Sequence, residues 1–187
     1  MPIKYEGQKT YKLEVAGLTR QLSILPVTDD LWIAAFVSYT DIELLNACAQ
    51  ELVEKLKNYD FDTIVTVEAK AIPLAYKVAE IMRTKDFVIV RKNVKAYMQD
   101  PIVDVGQSIT TAGEQKYVID GSDRKKIEGK RIAIVDDVVS TGGTIKALKR
   151  VIEKLGGDIV CIAAVLREEG PYDGPLEYLE DLPIFTK

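Results

Sequence analysis

Hydrophobic residues recur along this chain with two different periods, and the two take turns. In "YKLEVAGLTRQLSILPV", residues 11–27, apolar and polar positions alternate on either side of Gly17. This predicts two short antiparallel strands around a turn, a small hood or flap within about residues 1–30. "DLWIAAFV", residues 30–37, predicts a further buried strand. Thr40 followed by Glu43 reads as a capping box, and Ile42, Leu45, Ala49, Leu52, Val53 and Leu56 then repeat at the helical spacing. Strands at 62–67, 87–90, 131–135 and 158–166 alternate with helices at 72–82 and 143–155. Continuous apolar strands between amphipathic helices predict a doubly wound, mainly parallel α/β sheet over about residues 31–166, with helices on both faces.

Two segments fall outside this rhythm. Residues 91–130 form a polar excursion too long for a plain connection. Within it "IVDV" and "YVID" alternate, which predicts a long flexible loop carrying a hairpin able to fold over a ligand. Residues 167–187, with Pro171, Pro175 and Pro183, are expected to wrap the core rather than extend it. No linker or repeat interrupts the chain, so one domain is expected over residues 1–187.

Composition narrows the chemistry more than the fold. The 187 residues are 47% hydrophobic and 29% charged, with 25 Lys+Arg against 29 Asp+Glu and a net charge of −4. That balance argues against a broad grip on nucleic acid, so any anion site must be local. The absence of histidine removes Ser-His-Asp triads, Cys-His dyads and HExxH zinc sites. Cys48 and Cys161 lie far apart in apolar segments and read as buried, inert thiols. With no signal-like start and no apolar run near the ~20 residues of a membrane span, a soluble cytoplasmic protein is expected.

The chemistry concentrates in "RIAIVDDVVSTGGTIKALKR", residues 131–150. There an apolar run ends in adjacent carboxylates, Asp136 and Asp137, followed by the small turn Ser140, Thr141, Gly142, Gly143 and Thr144. Ligands of open α/β sheets sit beyond the carboxyl ends of strands, where these residues fall. Converging backbone N–H groups, two threonine hydroxyls and a helix amino terminus make a phosphate cradle. The acids suit a hydrogen-bond donor instead, such as the vicinal hydroxyls of a ribose. The ligand implied is a sugar phosphate; the alternative is that the acids merely terminate a strand.

"IAIVDDVVSTGGT", residues 132–144, resembles along its whole length the signature by which type I phosphoribosyltransferases bind phosphoribosyl pyrophosphate (PRPP). The resemblance implies that Asp136 and Asp137 hold the ribose hydroxyls and that residues 140–144 hold the 5′-phosphate. "VEAKAIPLA", residues 67–75, is similar to the family's pyrophosphate loop, which often carries a cis peptide, and the resemblance places Ala69, Lys70 and Ala71 against the diphosphate. "RKNVK" looks like the start of the family's catalytic loop, with Arg91 and Lys92 toward pyrophosphate and Lys95 as a closing catalytic contact. Mg²⁺ is implied as cofactor, held mainly through PRPP oxygens and water rather than by a protein cage.

The order of segments most resembles adenine phosphoribosyltransferase and related purine enzymes. It implies transfer of the phosphoribosyl group to a purine, adenine ahead of hypoxanthine, guanine or xanthine, in a homodimer. Base contacts would come from Arg20 in the hood, Val138, and Glu168 or Glu169 after the last core strand. Departures stand at Ala69-Lys70-Ala71, where those enzymes usually have Ala-Arg-Gly, and at Asp100, the sole acid in "AYMQDP". A DNA-binding regulator on the same fold would need a basic recognition helix, and the first 30 or so residues offer a hairpin instead.

Overall fold

A computed structural model describes residues 2–107 and 114–187. In chain order the elements are β1 (Ile3–Lys4), β2 (Thr10–Val15), β3 (Leu18–Thr28), β4 (Leu31–Ala34), α1 (Ile42–Leu56), β5 (Thr63–Val67), α2 (Ile72–Met82), β6 (Phe87–Val90), β7 (Ile102–Gln107), β8 (Glu114–Ile119), β9 (Arg131–Val139), α3 (Gly143–Lys154), β10 (Asp158–Glu168), β11 (Glu177–Leu182) and β12 (Ile184–Thr186). No helix among the described residues is long and apolar enough to cross a membrane.

The continuous apolar runs become a five-stranded parallel sheet in the order β11-β10-β9-β5-β6. All five residues of β5 are buried, as a strand covered on both faces requires. Burying a valine or isoleucine in this way is worth about 1.5–3 kcal/mol. α1 and α2 cover one face through Leu44, Leu52, Leu74 and Val78. α3 covers the other through Ile145, Leu148, Val151 and Ile152. From β5 the chain winds outward to β6, and from β9 outward the other way to β10 and β11. The crevice of a doubly wound sheet therefore opens between the ends of β5 and β9.

A second five-stranded sheet, β1-β12-β4-β3-β2, forms the hood. β4, expected as a further buried strand, pairs antiparallel with β3 in this sheet, because the chain turns back at Asp29 and Asp30 instead of entering the core. The carboxyl-terminal segment also differs from expectation. It extends both sheets: β11 lies parallel to β10, and β12 pairs with β1 and β4. Pro183, which has no N–H for a ladder, marks the change of sheet. The helix cap is Asp41 rather than Thr40. Its carboxylate accepts from the Leu44 N–H at 3.0 Å, while Glu43 turns to Arg20 and closes no capping box.

β7 and β8 form the expected antiparallel hairpin, whose tip at 108–113 lies outside the described residues. Its stem is anchored rather than loose: Tyr117, Val118 and Ile119 are buried. Asp104 of β7 is 5% exposed and meets Arg150 (Nη2, 2.8 Å) and Lys154 (Nζ, 2.5 Å) of α3. Burial alone would raise its carboxyl, but the bonds from Lys154 and Arg150 outweigh that and hold it below the ordinary aspartate range.

Asp104→Ala should lower the unfolding free energy at pH 7 by about 2 kcal/mol, less than for a fully buried pair because both cations are half exposed. A depressed folded-state pKa contributes stability above the unfolded value and loses it as pH falls through the folded one. Urea midpoints of wild type and variant should therefore differ most at neutral pH and converge below about pH 4. A gap that does not change with pH would assign the loss to packing alone.

Candidate active site

β9 runs four residues beyond the expected end at Val135, because β10 is long enough to pair with it throughout: Ala164 opposes Asp136, Leu166 opposes Val138 and Arg167 opposes Val139. The two acids thus sit inside the last part of a strand, with their carboxyl groups close enough to interact with each other and with Lys70. Both are buried, Asp136 at 5% and Asp137 at 6% exposure. Asp136 Oδ1 accepts the Asp137 N–H at 2.8 Å. Asp137 Oδ2 lies 3.0 Å from Lys70 Nζ, an ion pair by distance that lacks the geometry of a hydrogen bond, so this buried oxygen has no hydrogen-bond partner. Burial first, and then the charge of Asp137, push the Asp136 carboxyl well above its ordinary value; the Asp137 N–H and Lys70 oppose this more weakly.

After β9 the chain turns through Ser140–Gly143 into α3. Gly142 occupies the amino-cap position with φ +75°, a left-handed conformation natural to glycine, and no side chain caps the helix. The first amides of α3 are thereby left for a ligand, apart from a long 3.4 Å bond from the Gly143 N–H to Thr141 Oγ1. This turn, with Asp136, Val138 and Glu168, lines a cleft of about 230 Å³. A larger cleft of about 490 Å³ adjoins it through Glu168 and is lined also by Glu169, Tyr172, Glu180, Asp181 and Tyr11.

At the end of β5, Glu68–Ala69 is a cis peptide. Ala69 and Lys70 are exposed there, and Ala71 begins α2 without a side-chain cap. Pro73 stands in the first turn of α2, where a missing N–H leaves no bond unmade. Arg91 stands at the end of β6 beside this loop. Its Nε lies 3.2 Å from Glu68 Oε2, its Nη2 donates to the Tyr97 hydroxyl at 3.0 Å, and its backbone bridges to Val118 of β8. The Lys92 N–H donates to Glu68 Oε1 while the Lys92 residue remains exposed.

The acids, the turn, Val138, Glu168 and Lys70 are therefore brought together, with Arg91 and Lys92 joined to the loop that carries Lys70. Two expected residues stand elsewhere. Arg20 is committed to the start of α1, with Nε 2.7 Å from Asp41 Oδ2 and Nη2 2.6 Å from Glu43 Oε2, and it lines neither cleft. Lys95 donates its N–H to Met98 Sδ at 3.4 Å and lines neither cleft. Glu169 lines only the larger one. Sequence reasoning passed over Glu68, the acid that holds Arg91 and Lys92; its signal was a carboxylate directly after a buried strand, the same signal that marked Asp136.

The raised carboxyl of Asp136 has a testable consequence. The unfolded chain ionises near pH 4, whereas the folded one keeps its proton to a higher pH, so stability falls by up to about 1.4 kcal/mol per pH unit between the two values. Asparagine imitates the protonated form and keeps an acceptor for the Asp137 N–H. Asp136→Asn should thus raise the urea midpoint at pH 7, by a margin that grows as pH increases from about 4. A lower midpoint at pH 7 would mean that the charged carboxylate is well compensated where it lies.

Comparison with known proteins agrees with this geometry. A family profile described as "Phosphoribosyl transferase domain" matches residues 38–181. An adenine phosphoribosyltransferase from Petrotoga mobilis is 32% identical over 149 residues, covering 76% of this chain and 78% of that protein. A hypoxanthine/guanine phosphoribosyltransferase from Methanopyrus kandleri is 35% identical over 128 residues, covering 68% of this chain and 64% of that protein. Among solved structures, adenine phosphoribosyltransferase from Thermoanaerobacter pseudethanolicus shares the fold with a TM-score of 0.71 at 24% identity, over 86% of this chain and 95% of that one. Matched from Ser38 to Asp181, with the acid pair and the amide-rich turn both inside the match, this chain belongs to the phosphoribosyltransferase family.

Proposed function

We propose that the protein is a purine phosphoribosyltransferase: it transfers the 5-phosphoribosyl group of PRPP to a purine, adenine being favoured, and releases diphosphate and a nucleoside monophosphate. The observation that carries the reading is the buried pair Asp136 and Asp137 between two uncapped helix amino termini, with Lys70 3.0 Å from Asp137. In this reading residues 140–144 bind the 5′-phosphate through amides and hydroxyls. Asp136 and Asp137 accept from the ribose hydroxyls, and Ala69, Lys70, Ala71, Arg91 and Lys92 surround the diphosphate. Glu168, Val138 and Glu169 face the base, with Glu168 or Glu169 accepting from an exocyclic amine. Lys95 closes the site from its loop.

Breaking the bond to diphosphate builds positive charge on the ribose and negative charge on the leaving group. Lys70 then exchanges Asp137 for the diphosphate as that charge develops, and Arg91 exchanges Glu68 in the same way. Ligand binding thus replaces existing ion pairs rather than pairing bare charges. Mg²⁺ fits this donor set as a cation carried by the substrate: all nearby protein ligands are hard oxygens, and no three acidic, cysteine or histidine side chains converge among the described residues. When bound it would neutralise diphosphate oxygens, with Asp136 and Asp137 as the protein carboxylates nearest the ribose. A cytoplasmic homodimer serving purine salvage belongs to the same reading.

The test is diphosphate release from PRPP and Mg²⁺ with each purine supplied in turn, adenine being expected to react fastest. Release with hypoxanthine or guanine instead would move the base assignment toward the Methanopyrus relative and leave the PRPP half standing. No release with any purine would overturn the transferase reading. Asp137→Asn should reduce kcat/KM for PRPP by about 10²-fold, the scale of one lost transition-state contact, without loss of the folded state. Unchanged kinetics would return the acid pair to a structural role.

A further inference from the structure

The turn that receives the phosphate in this reading does little to hold its own shape. Among the described residues its one internal side-chain bond is the 3.4 Å contact from the Gly143 N–H, and Gly142 lies in a left-handed conformation with no capping group. Support comes from the segment after β10. Gly170 sits so close to the turn that a Cβ there would stand 3.1 Å from the Ser140 carbonyl oxygen. Two residues on, the Tyr172 ring presses its edge against Gly142: a Cβ on Gly142 would collide with Cδ2 and stand 3.1 Å from Cε2. The other end of the ring is closed by Gly174, whose Cβ would stand 2.6 Å from the hydroxyl oxygen. That hydroxyl donates to the Pro175 carbonyl at 3.1 Å, and the ring packs against the core on the α3 side. Tyr172 is thus wedged between two glycines, one belonging to the turn, and also lines the larger cleft.

The geometry points to Tyr172 as a positioning residue that holds the 140–144 turn in its phosphate-binding shape by packing its ring against Gly142. A turn with glycines at its apex and a single long side-chain bond of its own among the described residues needs an outside surface to select one conformation. A rigid ring held at both ends by Gly142 and Gly174 supplies that at little entropic cost. The role differs from contact with the reacting atoms, because Tyr172 acts through Gly142. It rests on the assignment of the turn to the 5′-phosphate.

The experiment is calorimetric titration of the full chain with PRPP and Mg²⁺, with ribose 5-phosphate and with diphosphate, all without base, beside steady-state kinetics. Tyr172→Ala should weaken ribose 5-phosphate and PRPP roughly tenfold or more while diphosphate, held by the Lys70 loop, binds as before. KM for PRPP should rise with kcat largely retained, and Tyr172→Phe should stay within about twofold of wild type. If Tyr172→Ala does not fold, Tyr172→Leu, which fills the space without a flat ring, is judged by the same criteria. Wild-type affinity for ribose 5-phosphate in the variant, equal losses for all three ligands, or a phenylalanine variant as weak as alanine would each overturn the proposal. Wild-type protein that binds neither PRPP nor ribose 5-phosphate would overturn the transferase reading and this proposal with it, an outcome distinct from failure of the variant alone.

Discussion

Two carboxylates adjacent in sequence are held inside the last part of a parallel strand, and the ends of the sheet are arranged around that constraint. Burial disfavours the charge on Asp136, and the neighbouring Asp137 disfavours it further. The arrangement persists because β9 stays paired with β10 past both acids, while the Asp137 N–H is taken up by the Asp136 carboxylate. It persists also because Lys70 approaches from the end of β5, the strand on the other side of β9. An apolar pair at these positions would suit the fold better. The unfavourable burial is local and lies in the crevice where a ligand of this sheet enters, as expected of residues retained for binding.

Around the acids, opposite charges are matched before any ligand arrives. Lys70 faces Asp137, Arg91 faces Glu68, and the uncapped amides of α2 and α3 supply positive potential without mobile side chains. This explains how a chain with a net charge of −4 can present a site for a highly charged anion. The cations need not be gathered by a broad field, since each is positioned by its own carboxylate, from which the proposed mechanism has it pass to the substrate. The hairpin stem contributes to the same frame: Asp104 fastens β7 to α3, while the bridge between Arg91 and Val118 fastens β8 to β6. Elements on both sides of the crevice are thereby tied to one another.

The core was legible because its signals are local. A buried run such as Thr63–Val67 or Ile132–Val135 announces a parallel strand, and the abrupt change to Asp136, Asp137 and the Ser140–Thr144 turn announces its functional end. What stayed hidden depended on partners distant in sequence. Arg20 looked like a hood residue over a base because nothing local reveals that Asp41 and Glu43 claim it at the start of α1. Asp104 looked like the polar side of an alternating strand, and only the docking of α3 shows it buried between Arg150 and Lys154. The strands β11 and β12 were masked by three prolines that punctuate rather than exclude them. Tyr172 was masked with them, although an aromatic ring inside the glycine-rich stretch "GPYDGP" was a local sign that a backbone passes close to it.

The proposed site divides its labour at the end of β9, with carboxylates for sugar hydroxyls and backbone amides for phosphate. A crystal structure of the protein soaked with ribose 5-phosphate tests it most directly, since that ligand carries both groups and no diphosphate or base. The phosphate oxygens should lie within hydrogen-bond reach, about 2.7–3.2 Å, of amides and hydroxyls in residues 140–144, and the sugar hydroxyls on Asp136 and Asp137. A phosphate bound instead at Lys70 and Arg91, with the acids left facing Lys70 alone, would contradict it.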